Sequence, residues 1–283
     1  MSIKKAENLA CPLDGTALSQ VERQFVCASG HSFDLARQGY LNLLPVQHKK
    51  STSPGDSKAM IEARSRFLNL DIYQPIANQL TNIIISLLPE SGSCSLLDAG
   101  CGEGYYLDFL CQGLDESRSE VSVIGLDISK AAIIAAGKRN KQIAWLVASN
   151  KRPPVLPDSV DIILCMFGFP VYESFARILK PGGTLVLVEA LPRHLIELRE
   201  VIYDEVRQHE LPSTQTATRS GFALLTQEQL CFSTGELQQA QISDLLQMTP
   251  HLYRAGQQGK ARAAALSSIN LTADVSFKVL RLN

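Results

Sequence analysis

The sequence predicts an α/β fold with a doubly wound, mostly parallel sheet and a small extra module at the N-terminus. Strand-like and helix-like segments alternate from residue 94 to residue 189, which is typical of parallel strands joined by crossover helices. Two acidic residues stand at the ends of the first two strands, and the first of them opens a glycine-rich turn. The segment 275–280 alternates like a half-exposed, antiparallel final strand.

The elements of this domain follow one another without long gaps. An amphipathic helix over 73–88 ends at Pro89, just before the first core strand. Strands are then predicted at 94–98, 121–127, 143–148, 160–166 and 184–189, and helices at 103–113, 129–139, 171–179 and 195–206. The turn 180–183 contains Pro181 and two glycines, which stop a helix before a buried strand.

The glycine-rich turn predicts a binding site for S-adenosylmethionine. Gly100, Gly102 and Gly104 allow a tight strand-to-helix turn and let a ligand approach bare backbone. The pattern begins D-x-G-x-G-x-G at Asp98, and a carboxylate suits a sulfonium and an ammonium rather than a pyrophosphate. Asp127 ends the next strand, where an acid accepts hydrogen bonds from ribose hydroxyls. We therefore predict a Rossmann-like, class I S-adenosylmethionine-dependent methyltransferase domain over 73–283.

Two residues inside the turn are further candidates for the methionine end of this cofactor. Glu103 and Tyr105 follow the second and third glycines. An acid at the start of a helix also serves as a cap, and this alternative stays open for Glu103.

The first 45 residues form a separate module with metal-ligand spacing. Short strand-like pieces alternate with turn residues there, and Cys11, Asp14, Cys27 and His31 form two clusters across a hairpin-sized interval. This is zinc-ribbon spacing, although Asp14 supplies a hard oxygen where a thiolate is expected. The alternative is a module that has lost its metal and is held by packing alone. Residues 46–72 are predicted to be a linker and a helix.

Composition indicates a soluble, cytoplasmic protein that does not span a membrane. The chain has 283 residues and a formal net charge of −1, and it contains no apolar run near the roughly 20 residues that a membrane helix needs. Up to residue 70 it carries nine Lys and Arg against six Asp and Glu. Lys49, Lys50, Arg64 and Arg66 are candidate phosphate contacts, or simply a solvated face.

Candidate residues for the methyl acceptor follow the fourth and fifth strands. Phe167 and Phe169 are placed to stack on an extruded base, or at least one of them belongs to the core. His194 lies just after the fifth strand and is the titratable candidate for contact with the base or the cofactor. The segment Phe167-Gly168-Phe169-Pro170 takes the place of the Asp/Asn-Pro-Pro-aromatic motif of many amino-group methyltransferases.

Taken together, these motifs resemble the bacterial 23S rRNA guanine-N1-methyltransferases of the RlmA type. The resemblance is specific because of the pieces outside the cofactor turn, since no generic methyltransferase requires Asn42-Leu43-Leu44-Pro45. The matching pieces span most of the chain. They are Cys11-Pro12-Leu13, Cys27 with His31, Phe33-Asp34, the run 39–49, 54–57, Tyr73-Gln74-Pro75, 98–106, 125–130, 147–149, 180–183 and 192–195.

The resemblance implies methylation of guanine N1 in a hairpin loop of 23S ribosomal RNA. It also implies a zinc-binding, RNA-binding N-terminal module, a homodimer around an RNA cleft, and cofactor contacts from Tyr73, Ser149 and His194. Two other readings remain: a methyltransferase for small metabolites, or a ribosomal-RNA-binding protein that keeps the cofactor fold without turnover.

Overall fold

One large sheet organises the molecule, and a three-stranded hairpin sheet stands beside it. The computed structural model describes residues 3–48, 54–114, 120–206 and 214–283. In chain order the strands of these residues are β1 (Ile3–Lys4), β2 (Leu18–Val21), β3 (Gln24–Cys27), β4 (Ser32–Asp34), β5 (Tyr40–Asn42), β6 (Ser93–Ala99), β7 (Glu120–Asp127), β8 (Ala144–Val147), β9 (Val160–Met166), β10 (Leu179–Ala190), β11 (Phe222–Gln238) and β12 (Ser268–Leu282).

The helices cover both faces of the sheet. They are α1 (Lys58–Leu68), α2 (Gln74–Leu87), α3 (Tyr105–Gly113), α4 (Lys130–Arg139), α5 (Tyr172–Ile178), α6 (Ile196–Ile202), α7 (Gln215–Arg219), α8 (Gln239–Met248), α9 (His251–Arg254) and α10 (Gln257–Ala264). Serine hydroxyls begin two of them, since Ser57 accepts the backbone N–H of Met60 and Ser129 that of Ala132.

The strand order of the large sheet is β11-β12-β10-β9-β6-β7-β8-β5. The pairs from β5 to β10 are parallel, whereas β12 runs antiparallel to both β10 and β11. The doubly wound sheet with an antiparallel final strand is thereby confirmed. Because β6, β7, β9 and β10 are parallel neighbours, their carboxyl ends meet at one edge, which is where ligands bind in such sheets.

Apolar side chains fill both faces of this sheet. One core includes Phe67, Trp145 and Phe277, all buried, and the opposite core includes Phe175 and Phe222. Burial on both faces explains why the central strands are continuous apolar runs.

The N-terminal module is joined to the large sheet by strands on both sides of its hairpin. β2, β3 and β4 form the small antiparallel sheet. β1, however, pairs in parallel with β7, and β5 pairs in parallel with β8. The predicted N-terminal module, residues 1–45, and the predicted methyltransferase domain therefore share a sheet.

The remaining predicted regions also have defined places. Residues 49–53 of the predicted linker lie outside the described residues. The rest of it folds onto the sheet edge, where the Ser129 hydroxyl donates to the carbonyl of Asp56 at 2.7 Å. Among the helices that the structure describes, none has the length and apolar character of a membrane span.

Candidate functional site

The glycine-rich turn connects β6 to α3 at the carboxyl edge of the sheet. Its backbone is tied to the neighbouring strand, because Gly100 and Cys101 both donate their N–H groups to the carbonyl of Leu126, at 2.8 and 3.0 Å. Gly102 donates its N–H to Asp127 Oδ2 at 3.0 Å. The turn and the end of β7 thus form one rigid wall of a cleft.

The three glycines serve two different purposes. All three adopt left-handed backbone, with φ of +104° at Gly100, +56° at Gly102 and +82° at Gly104, which other residues rarely adopt. A Cβ on Gly100 or Gly102 would meet no atom closer than 3.6 Å, whereas a Cβ on Gly104 would stand 2.7 Å from Trp145 Cη2. A Cβ at the first two would therefore meet only van der Waals neighbours, Asn150 and Arg64, whereas the third glycine makes room for the buried Trp145 ring.

Two carboxylates face this turn in a poorly solvated environment. Asp98 is only 1% exposed, and its Oδ1 has no hydrogen-bond partner among the described residues. Burial raises the pKa of Asp98 to about 8, with the charge of Asp127 adding to the effect. Burial also raises the pKa of Asp127. The backbone N–H groups of Ser129 and Gly102, which bind its carboxylate, lower this pKa but do not cancel the effect of burial. A cation would relieve both groups.

Three other residues predicted to contact the cofactor, Glu103, Tyr105 and Ser149, have contacts within the protein. Glu103 accepts the N–H of Tyr105 at 2.9 Å and pairs with Arg139 at 3.4 Å, so the geometry gives it the capping role. The Tyr105 ring packs under the Arg139 guanidinium, 5.8 Å from its centroid. Ser149 follows β8 and accepts the N–H of Lys151 at 3.3 Å.

Asn150 joins this cleft without having been predicted from the sequence. Its Nδ2 donates to the carbonyl of Ala99 at 3.1 Å, close to Gly100. Its Oδ1 is buried and lacks a partner within the described part of the chain. Orphaned buried acceptors at Asp98 and Asn150, beside an open glycine cradle, fit a ligand with amino and hydroxyl donors such as S-adenosylmethionine.

Aromatic side chains from several elements gather at the same edge of the sheet. The ring of His194 stacks on Phe167 at 6.0 Å between centroids and lies 6.2 Å from the buried Tyr73. Phe167 is 40% exposed and Phe169 is 87% exposed, so neither is a core residue. The backbone at Phe167 and Leu195 is left-handed, with φ of 50° and 53°, and strain of this kind clusters at functional sites.

The hydrogen bonds of His194 fix which ring nitrogen carries its proton. Its Nδ1 accepts the backbone N–H of Asp274 at 3.2 Å. Burial and the neighbouring His251 lower the pKa of His194 to about 4, so the ring is neutral near pH 7. A neutral ring that accepts at Nδ1 carries its proton on Nε2. His194 therefore offers a hydrogen-bond donor at Nε2.

The predicted metal ligands converge in the N-terminal module. One ligand atom each of Cys11, Asp14, Cys27 and His31 lies within 4.8 Å of the others. Two glycine turns create this geometry, because the N–H of Gly15 binds the carbonyl of Cys11 and the N–H of Gly30 binds that of Cys27.

The distances from the His31 ring to the other three ligand atoms are close to those of a tetrahedral zinc site. His31 Nδ1 lies 3.5 Å from Cys11 Sγ, 3.3 Å from Cys27 Sγ and 3.2 Å from Asp14 Oδ2. Tetrahedral bonds of about 2.0–2.3 Å place ligand atoms roughly 3.3–3.8 Å apart. Thr16 binds Asp14 Oδ1 through both its hydroxyl, at 2.7 Å, and its N–H, at 3.0 Å, which leaves Oδ2 as the single oxygen that faces the cluster.

Of the candidate phosphate contacts, two have protein partners and two lie outside the described residues. Arg66 forms a bidentate pair with Asp244 at 2.6 and 3.0 Å. Arg64 pairs with Asp56 at 2.7 Å, close to Gly102. Both arginines thus have acidic partners within the protein, and their contact with phosphates stays a prediction. Lys49 and Lys50 lie in the undescribed segment.

Fold and site together define a class I methyltransferase with an N-terminal zinc ribbon. Residues 9–52 match the family described as RlmA, N-terminal, and residues 96–183 match the methyltransferase domain family. The chain is 31% identical, over 95% of both lengths, to the Bacillus subtilis protein named "Putative 23S rRNA (guanine-N(1)-)-methyltransferase YxjB". The chain belongs to the family of the RlmA-type 23S rRNA (guanine-N1)-methyltransferases.

One further relative agrees with this assignment, and one solved structure shares the fold. A Streptomyces fradiae protein named 23S rRNA (guanine(748)-N(1))-methyltransferase is 27% identical over 96% of both chains. Among solved structures, the chain is similar to one from the complex of "the Haloferax volcanii Trm112 methyltransferase activator and the putative methyltransferase". It matches that structure with a TM-score of 0.50 and 16% identity, over 81% of this chain and 99% of the other. This last similarity concerns the fold alone.

Proposed function

We propose that the protein methylates N1 of a guanine in 23S ribosomal RNA, with S-adenosylmethionine as methyl donor. The observation that carries the proposal is the edge where the cofactor cleft and an exposed aromatic group meet, in a chain similar over nearly its whole length to enzymes named for this reaction. When bound, S-adenosylmethionine supplies an electrophilic methyl group.

The cleft residues would hold the cofactor by charge and by bare backbone. Asp127 accepts the ribose hydroxyls in addition to its two backbone donors, and Asp98 faces the cationic end. Gly100 and Gly102 leave room for the ligand to lie against the turn. Cofactor contacts remain predicted for Ser149, Tyr73, Glu103 and Tyr105. Of these, Glu103 already has a structural role as the cap of α3.

The aromatic group would hold the target base. Phe167 and Phe169 stack on an extruded guanine. The Nε2–H of His194 donates to guanine O6, where negative charge develops as the N1 proton leaves to solvent at this exposed edge. Positioning N1 in line with the methyl group then accounts for most of the rate.

The N-terminal ribbon would bind the RNA beside this site, together with Lys49 and Lys50. Zinc held by Cys11, Asp14, Cys27 and His31 would fix its two turns. A homodimer is implied by the resemblance, and a cytoplasmic location is predicted from composition. Both belong to the same proposal, in which the substrate is ribosomal RNA or an assembling large subunit.

Primer extension tests the reaction directly. Methylation at N1 blocks base pairing and stops reverse transcriptase, so ribosomal RNA treated with enzyme and cofactor should give one new stop. Labelled cofactor with naked transcript, undermethylated ribosomal RNA and assembling subunits distinguishes the substrates. Failure with all three would favour the binding-protein reading, and labelling only of a small metabolite would favour the metabolite reading.

Phe169→Ala offers a matched test of the acceptor site. Loss of one stacking partner should lower kcat/KM roughly 5- to 100-fold, as base stacking of about 1–3 kcal/mol implies. Leu225→Ala is the control, because Leu225 is also an exposed apolar side chain. It stands near the start of β11, where its neighbour Leu224 pairs with Leu280. Equal activity of both variants would remove Phe169 from the site.

A further inference from the structure

The guanidinium of Arg64 lies inside the cofactor cleft, on the side opposite the strands. Its Nη1 stands 3.6 Å from the point where a Cβ on Gly102 would be, and it binds Asp56 Oδ2 at 2.7 Å. Its Nη2 donates to the carbonyl of Met248, at the end of α8, at 3.2 Å. The side chain is only 23% exposed. Arg64 is thus held over the glycine turn from outside.

The charges around the turn explain why a cation is needed there. The charge of Asp127 adds to the burial that raises the pKa of Asp98. The charge of Asp56 raises the pKa of Asp127, while that of Arg64 lowers it. S-adenosylmethionine carries a carboxylate besides its sulfonium and ammonium. The acids suit the two cationic groups but would repel that carboxylate, unless a positive group stands between them.

Arg64 has the donors and the geometry for this role. A guanidinium carries five N–H donors in a planar fork that matches a carboxylate, and the contacts to Asp56 and Met248 use two of them. Nη1 directly faces Gly102, 3.6 Å from the point where a Cβ would be. A carboxylate lying along the turn would therefore meet free N–H groups of an arginine that is already fixed in place.

We propose that Arg64 binds the carboxylate of the methionine moiety of S-adenosylmethionine, with Asp56 holding the guanidinium in position. This inference rests on the proposed function and makes Arg64 a residue that selects the cofactor by its amino-acid end. The segment 54–57 and helix α1 then form the outer wall of the cofactor site. Gly55 fits this wall, since a Cβ there would stand 2.9 Å from both Ile128 and Ser129.

Calorimetry with two ligands that differ only in the carboxylate tests the proposal. The ligands are S-adenosylmethionine and decarboxylated S-adenosylmethionine, and the variant is Arg64→Gln. We expect the variant to bind S-adenosylmethionine about 10- to 100-fold more weakly, as loss of a charged hydrogen-bond pair implies. Its affinity for the decarboxylated ligand should stay within about threefold of wild type, on the same grounds.

Arg66→Gln is the matched control. Arg66 lies two residues further along α1 and pairs with Asp244 on α8, so its loss should change neither affinity. If Arg64→Gln does not fold, as judged by circular dichroism, Arg64→Lys keeps the charge without the fork and should lose part of the preference for the carboxylate. Equal loss of both ligands, or no loss of either, in the folded variant would overturn the proposal.

The outcome is separable from failure of the proposed function. A wild-type protein that binds neither ligand would contradict the function itself. A wild-type protein that methylates RNA, combined with an Arg64→Gln variant that keeps its preference for the carboxylate, would contradict only this inference.

Discussion

Gly104→Ala tests whether the third glycine of the turn serves packing rather than the ligand. The new Cβ would stand 2.7 Å from Trp145 Cη2 and 3.1 Å from the Cβ of Ala136. Overpacking of this kind costs about 1–3 kcal/mol, and left-handed backbone adds about 1–2 kcal/mol for a residue with a Cβ. The lower entropy of the unfolded alanine chain offsets about 0.4–1 kcal/mol. The free energy of unfolding should therefore fall by about 2–4 kcal/mol.

Gly102→Ala is the control for the backbone contribution alone. It has the same left-handed backbone, but its Cβ would lie no closer than 3.6 Å to Arg64. Its stability loss should be about 1 kcal/mol. Urea denaturation followed by circular dichroism measures both variants.

A double-mutant cycle with Trp145→Phe isolates the clash. The smaller ring lacks the outer atoms that Gly104 approaches, so Gly104→Ala should cost only about 1 kcal/mol in that background. Losses that add within about 0.5 kcal/mol across the cycle would refute the assignment of Gly104 to the Trp145 contact.

Three further predictions concern the carboxylates and the histidine. Asp14→Cys should tighten zinc binding in competition with a chelator, because a thiolate is the softer ligand, and unchanged affinity would remove Asp14 from the ligand set. Cofactor affinity should rise between about pH 6 and 8, as the Asp98 carboxyl with its pKa of about 8 ionises, and Asp98→Asn should flatten that rise. Since the folded pKa of His194 is about 4, below its usual value, the unfolded chain binds the proton first and stability should fall by up to about 3 kcal/mol between pH 6.5 and 4. His194→Gln should remove that part of the acid sensitivity, and an identical pH profile would contradict the buried neutral ring.

The strands that are buried on both faces were predictable, because each is a continuous apolar run in the sequence. The predicted strand 160–166 coincides with β9, and the predicted 121–127 differs from β7 by one residue. β11 was not predicted, although it has 17 residues. It is a mostly exposed edge strand rich in Gln, Glu and Thr, and its place depends on pairing with β12. The final strand, predicted at 275–280, extends over 268–282 for the same reason.

The site shows a similar division between local and distant information. The glycine turn, Asp127 and the metal cluster were predictable from short motifs whose residues are close in sequence or across one hairpin. Asn150 and Arg64 were not assigned to the cleft, because only the folded chain brings them to Gly100 and Gly102. Sequence reasoning placed Arg64 with the basic residues around it, whereas its ion pair with Asp56 reveals its actual neighbours.

β1 pairs with β7 and β5 pairs with β8, so the ribbon is attached to the large sheet at both of its ends rather than through a flexible linker. The strands before and after the ribbon, β1 and β5, pair with β7 and β8, and the carboxyl ends of β7 and β8 border the cofactor cleft. Under the proposed function, the sheet itself would set the distance between RNA bound by the ribbon and the methyl-transfer edge. We expect a flexible linker inserted between β4 and β5, before the chain rejoins the large sheet, to loosen this spacing, so that the choice of nucleotide would be lost before the methyl transfer itself.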